Sequence, residues 1–276
     1  MVDIRTARRF VCALGLVAVS ASSVSATWSI VAVDRRTRTV VIASATCVSQ
    51  DRIETYPAKD LRDIQAIVVP GVGVAAAQAG IDRTRANQKL IFSELRKGTA
   101  PADILTLLKQ DPSINIRQFG IVDVRGRMAG FSGSRTGPAS LDRQGQVPRT
   151  PFFFSVQGNI LRDDGVVVAA VEALSRHRGS LTDRVMAAMD AADARGGDSR
   201  CTCASEPAVD APCTGKTSHV AYILRATKDD PSGDSFNDGR YSLYLSVTDR
   251  DIRPTEDANP VKTLRLRYER WKAVRR

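Results

Sequence analysis

A small-residue run, Val24-Ser25-Ala26, meets Thr27-Trp28-Ser29-Ile30-Val31-Ala32-Val33. Cleavage after Ala26 would make Thr27 the first residue of a mature chain and of a β-strand. Its hydroxyl would then stand beside a free α-amine, giving a nucleophile and a base within one residue. An unperturbed α-amine, with a pKa of about 7.7–8.0, keeps a useful neutral fraction near pH 7. The chemistry this predicts is attack on an amide or ester carbonyl, an acyl-enzyme, and release by water. The plainer expectation is that Thr27 merely follows a removed leader, as some residue must.

Developing negative charge on the carbonyl oxygen needs donors, and Asn159 with the backbone N–H of Gly158 is the candidate pair. A side-chain amide donates without carrying a charge of its own. The competing expectation is that Gln157-Gly158-Asn159 closes a strand by side-chain-to-backbone hydrogen bonds. Gln157, Asp123 and Asp198 are the candidate substrate-binding residues. Asp123-Val124-Arg125-Gly126 is also an ordinary hairpin-turn sequence, and the turn is the stronger reading. Asp198, after Gly196-Gly197, most simply caps a loop.

Other chemistries fit less well. Two histidines and Gly130-Phe131-Ser132-Gly133-Ser134, which lacks the Gly-x-Ser-x-Gly spacing, give a Ser-His-Asp triad little support. Gly71-x-Gly73-x-x-Ala76 matches a dinucleotide fingerprint, but β-branched residues continue through the glycines where a helix should open. No cofactor and no metal is expected.

A chain of 276 residues with 43% apolar composition can bury one large core or two modest ones. Its net charge of +10 invites a nucleic-acid reading. That reading lacks interleaved aromatic and basic residues, zinc-finger spacing and a helix-turn-helix pattern. Residues 1–26 read as a bacterial export signal: Arg5, Arg8 and Arg9, an apolar run from Phe10 to Val19, then small residues ending at Ala26. The run falls short of the roughly 20 residues of a spanning helix, so cleavage and release into the periplasm or medium are expected. No integral membrane segment follows.

Export makes disulfides the default for Cys47, Cys201, Cys203 and Cys213. Cys213 is expected to bond Cys201 or Cys203, and the part played by Cys47 is open. Zinc is the rival, but the single residue between Cys201 and Cys203 is not ligand spacing, and neither His177 nor His219 lies in a ligand motif.

These residues need elements to position them. Thr27 to Val33, a turn, and Thr39 to Ala45 predict a hairpin, with a polar, irregular segment at Gln50 to Asp63 and an apolar run to Gln78. Thr84 to Lys97 predicts a helix stopped by Gly98. Pro101 starts a second, with Ile104, Leu105, Leu107 and Leu108 on its buried side. Strands follow at Gln118 to Val124, Arg127 to Phe131 and, beyond a polar loop from Ser132 to Pro148, Pro151 to Ile160. Helices at Asp163 to Leu174 and Leu181 to Ala194, strands at Ser218 to Arg225 and Tyr241 to Val247, and a basic helix from Val261 to Arg276 complete the chain. Paired helices between groups of strands predict an α+β protein: antiparallel sheets covered by helix layers, as in a four-layer αββα sandwich. Residues 27–276 are expected to form one domain.

Several strings together resemble one family over nearly the whole mature chain. They are Thr27-Trp28-Ser29-Ile30-Val31-Ala32, Val69-Pro70-Gly71-Val72-Gly73 with Gln78-Ala79, Phe119-Gly120-Ile121-Val122-Asp123 with Gly126-Arg127, Ser155-Val156-Gln157-Gly158-Asn159-Ile160-Leu161, and Gly196-Gly197-Asp198-Ser199-Arg200. The chain resembles the domain of unknown function 1028 family, which is grouped with the Ntn (N-terminal nucleophile) hydrolases. The resemblance implies the αββα sandwich and an N-terminal threonine, carried onto Thr27. Family members that begin Met-Thr expose the threonine by methionine removal; here signal peptidase would do so. Cys201 to Gly215 departs from the pattern as an insertion, and the loop after Cys47 departs as well.

The expectation is therefore an exported Ntn-type amidohydrolase acting on a small-molecule or peptide amide, with no nucleic-acid partner and with homo-oligomerisation left open. The alternative is a secreted binding module of the same fold, holding an anionic envelope component or a small ligand in its pocket or on its basic C-terminal helix.

Overall fold

The computed structural model describes residues 27–56 and 58–275. The expected leader and its cleavage point fall on residues 1–26, outside the described residues. The expected hairpin forms from β1 (Thr27–Asp34) and β2 (Thr39–Thr46). Asp34 fixes its turn by accepting from the N–H groups of Arg36 and Thr37 and from the Thr37 hydroxyl. All eight residues of β1 are buried, because the strand is central: β2 pairs with one edge and β8 (Phe152–Asn159) with the other.

β9 (Val220–Ala226), β10 (Leu243–Thr248) and β7 (Leu141–Gln146) complete a six-stranded antiparallel sheet in the order β10-β9-β2-β1-β8-β7. A second antiparallel sheet takes β3 (Ala66–Val69), β4 (Gly73–Ala79), β5 (Arg117–Asp123) and β6 (Met128–Ser132) in chain order. With seven α-helices among the described residues, the protein is α+β.

Alternation along β1 divides its side chains between two cores. Trp28, Ile30 and Ala32 join Val166, Ala170 and Leu174 of α5 (Gly165–Arg176) and Val185, Met186 and Met189 of α6 (Leu181–Ala194). Val31 and Val33 face the other way, clustering with Val74, Ala76 and Val122 of the second sheet. Thr27 and Ser29 share that inter-sheet face. A third cluster holds α3 (Ala86–Lys97) and α4 (Pro101–Leu108) against β3, β4 and β5 through Ile91, Leu95, Ile104 and Leu108.

Several expectations are corrected. The segment Gln50 to Asp63, expected to be irregular, contains α1 (Gln50–Glu54) and runs into α2 (Leu61–Gln65). Ser49 and Asp60 cap them, each side chain accepting from the backbone N–H three residues on. Five-residue helices show barely one turn of periodicity, which hides them in sequence. The expected loop at Ser132 to Pro148 contains β7, a half-exposed edge strand whose polar Leu-Asp-Arg-Gln-Gly-Gln reads as a loop. On α4, Ile104 and Leu108 are buried, but Leu107 points outward and is 43% exposed.

The disulfides are Cys203–Cys213, one of the two expected pairings, and Cys47–Cys201, which ties the end of β2 to a residue 154 positions later. The C-terminal helix α7 (Pro260–Ala273) buries Val261, Leu264 and Tyr268, with Trp271 stacked on Tyr268 at 5.8 Å. Its basic residues are not simply solvated, since Arg265 pairs with Asp190, Lys272 with Asp183, and Arg267 with Glu256. Among the described residues no helix is long and apolar enough to cross a membrane.

Candidate functional site

Thr27 lies opposite Thr46 of β2 and Asn159 of β8. Its hydroxyl donates to the Thr46 hydroxyl at 3.2 Å, and its carbonyl accepts from Gln78 Nε2 at 3.1 Å. Only 3% of Thr27 is exposed, and what it faces is a cavity of about 20 Å³. Ile53 of α1 and Leu61, Ile64 and Gln65 of α2 line it, with Thr46 and Gln78. The two short helices thus close the mouth of the inter-sheet space directly over the candidate nucleophile.

Beneath Thr27 runs a buried chain of amides. Ser29 donates to Gln78 Oε1 at 2.6 Å and accepts from Gln157 Nε2 at 2.6 Å. Gln78 Nε2 also reaches Gln118 Oε1 at 2.7 Å, and Gln118 Nε2 donates to the Gly158 carbonyl at 2.9 Å. A buried amide without partners is costly, so this network fixes how β1 and β8 sit over β4 and β5. Gly120 makes it possible, since a Cβ there would lie 2.1 Å from Gln157 Oε1.

The structure sorts the six candidate residues. Thr27, Gly158 and Asn159 are brought together at one end of the large sheet. Asn159 is fully buried and its Nδ2 donates to the Thr136 carbonyl at 3.2 Å. Gly158 is paired on both edges, with Trp28 and Leu141, so its N–H points at a flanking strand. Gln157 lies one layer deeper and serves the amide network, outside the cavity lining.

Asp123 belongs elsewhere. On β5 it pairs with Gly73, while Gln118, opposite Gln78, marks the Thr27 end of that strand. Five residues of strand, roughly 17 Å, separate the two ends. Asp123 accepts from the N–H groups of Arg125 and Arg127 and ion-pairs with Arg127, as its turn sequence predicts.

Asp198 sits near this end of the sheet but on its other side. Its Oδ2 accepts from the Cys47 N–H at 3.1 Å and pairs with Arg200. The neighbouring Gly197 presses on the ring of Trp28, a residue of the helix-side core. Asp198 lines a separate cleft of about 510 Å³ together with Arg162, Asp193, Lys216 and Lys262.

Thr46, Gln65, Gln78 and Gln118 had no role assigned from sequence. Their signal is a polar side chain inside an apolar stretch, as with Gln78 in Val74-Ala75-Ala76-Ala77-Gln78-Ala79. His219, which lies in no ligand motif, is buried at the same end of the large sheet. Its backbone N–H donates to the Thr46 carbonyl at 2.7 Å, and its Nδ1 lies 3.4 Å from Asp249 Oδ2. Burial, with help from the Lys216 and Arg200 charges, lowers His219 to about 4. Burial raises Asp249 to about 6 against the hydrogen bond from the Gln50 N–H. Cys47, Cys201 and His219 cluster within 4.8 Å, but the two sulfurs are joined to each other.

Two antiparallel sheets with a hydroxyl-bearing residue opening a central strand, beneath a cavity roofed by two short helices, define an α+β protein with a candidate nucleophile site. The chain belongs to the family of unknown function DUF1028, whose model matches residues 27–209. It is similar in fold to protein SPO2555 from Silicibacter pomeroyi, also of DUF1028, with a TM-score of 0.63 and 22% identity over 89% of this chain and 86% of that one. No curated protein matches the sequence. The family match ends inside the Cys203–Cys213 loop, yet β9 and β10 beyond it extend the six-stranded sheet from β2.

Proposed function

We propose that the chain is an exported N-terminal-nucleophile hydrolase of the four-layer αββα type that cleaves a C–N amide bond, with Thr27 as nucleophile. One observation carries this reading: Thr27 opens a central strand with its side chain on a cavity at the helix-roofed end of the inter-sheet space. The family match beginning at Thr27 supports it. In the mechanism, the Thr27 Oγ–carbon bond forms and the hydroxyl proton passes to the α-amine. The C–N bond then breaks, with that proton moving to the departing nitrogen. Water hydrolyses the acyl ester and restores the hydroxyl. Asn159, opposite Thr27 in register, donates to the oxyanion in this scheme once its amide turns from the Thr136 carbonyl. Gly158 backs the site, where a Cβ would lie 2.6 Å from Leu161 Cδ1.

The test begins with N-terminal sequencing of the exported protein. A chain beginning at Thr27 is then treated with an amide-mimicking electrophile. Labelling of the parent and of Thr27→Ser, with none in Thr27→Ala, is the expected result. A mature chain starting elsewhere, or labelling that survives in Thr27→Ala, would overturn the proposal and leave a binding module.

A further inference from the structure

Gln65 is 1% exposed, lines the Thr27 cavity, and among the described residues neither of its amide atoms makes a hydrogen bond of good geometry. The buried Tyr222 hydroxyl stands beside it and likewise lacks a well-formed hydrogen bond. A small rotation could pair them, but one hydroxyl serves at most one of the two amide atoms in a given pose. A donor or an acceptor therefore remains over in a region where every buried polar atom needs a partner. Apart from Thr27, Thr46 and Gln78 the rest of the wall is aliphatic, with Ile53, Leu61 and Ile64 in it, and among the described residues no charged side chain lines the cavity.

From this geometry we infer that the cavity selects a short, uncharged acyl group, of acetyl size, and that Gln65 is the hydrogen-bond partner of the amide being cleaved. The inference rests on the proposed role of Thr27 and names the substrate class of that same site. Size follows from volume: about 20 Å³ takes one water-sized group, hence a methyl and not a longer chain. Charge follows from the lining, because a carboxylate placed among Ile53, Leu61 and Ile64 would be desolvated with no cationic side chain to pair with, and a protonated Thr27 amine paired to it could not act as the base. The amide follows from Gln65, whose remaining amide atom is placed to meet either the N–H or the C=O of the bound amide. Ile53, on the five-residue α1, is the wall that limits chain length.

The experiment uses the chain starting at Thr27 and two readouts. Single-turnover release of p-nitroaniline is followed from the acetyl, hexanoyl and succinyl anilides. Saturation-transfer NMR measures binding of acetamide, hexanamide and succinamate. Acetyl should exceed hexanoyl by at least about tenfold in both, and the succinyl compounds should be inert. Ile53→Ala, checked for folding by circular dichroism, should bring hexanoyl up towards acetyl. Gln65→Leu should keep the fold and weaken acetamide binding by about tenfold, the value of one lost hydrogen bond.

Equal handling of hexanoyl or succinyl by the parent, or no response to Ile53→Ala, would overturn the size and charge assignment. Unchanged acetamide binding in Gln65→Leu would overturn the role of Gln65. The two layers fail differently. Selective binding without turnover removes the nucleophile and keeps the cavity assignment, whereas turnover by Thr27 without chain-length selectivity does the reverse.

Discussion

Gln78 is the side chain through which the sheets hold Thr27. It donates to the Thr27 carbonyl and to Gln118 and accepts from Ser29. Gln78→Leu fills similar space but strands three buried groups, so it should cost roughly 1–3 kcal/mol or more, read as a lower urea midpoint. Electrophile labelling at Thr27 should fall with it. A second residue-scale test concerns pH. Asp249 keeps a proton in the fold up to about pH 6 that the unfolded chain releases near 3.8, so its contribution to stability falls as pH rises across that window. His219 acts oppositely: the unfolded chain holds a proton up to about 6.5 that the fold releases near 4, so its contribution rises with pH. The two slopes oppose each other between about pH 4 and 6. Asp249→Asn should therefore make stability climb more steeply over that range, and His219→Gln should make it decline, both measured by chemical denaturation at stepped pH. Thr27 and Asn159 were legible as site candidates because their chemistry is carried by residue type and neighbours. His219 and Asp249 were not, because their contact joins strands β9 and β10 at their ends.

At the scale of elements, α7 is docked through its last turns onto the start of α6. Asp183 closes a capping box with Ser180 and also receives Tyr268 and Lys272. Burial alone would raise Asp183, but the hydrogen bonds from Lys272, Ser180 and Tyr268 bring it down to about 2. A lowered carboxylate stabilises the fold above its unfolded value of 3.8 and loses that effect as pH falls towards 2. Asp183→Ala should thus lower stability by about 1–2 kcal/mol at pH 7, and the gap to the parent should narrow below pH 3, by thermal unfolding at the two pH values. The long helices and β1, β2 and β8 were legible because they carry several periods of apolar alternation. α1, α2 and β7 were not, and two of those three form the roof of the cavity. Short, polar-faced elements owe their form to the tertiary contacts they make, here of Ile53, Leu61 and Ile64 with the inter-sheet cluster.

At the scale of the molecule, the two disulfides constrain very different lengths of chain. Cys47–Cys201 spans 154 residues and Cys203–Cys213 spans 10. Loop entropy alone makes the long one worth about 2 kcal/mol more at 25 °C. The double variant Cys47→Ser/Cys201→Ser should accordingly lose more thermal stability than Cys203→Ser/Cys213→Ser, by differential scanning calorimetry; equal losses would show that local strain or residual structure dominates. The sequence by itself determined the α+β class, the order of most strands and helices, the presence of disulfide-forming cysteines and the hydroxyl at the head of the first strand. Each of these is written in local pattern or residue type, where neighbours along the chain supply the physics. Tertiary structure alone decided that Asp123 is a turn residue at the far end of its sheet and that Asp198 looks into a different cleft. It also decided that Cys47 pairs with Cys201, that Gln78, Gln118 and Gln157 from three separate strands meet in one network beneath Thr27, and that Gln65 of a short helix lines its cavity. Those outcomes depend on which residues meet across tens to hundreds of positions, and distance along the chain carries no signal of contact in space.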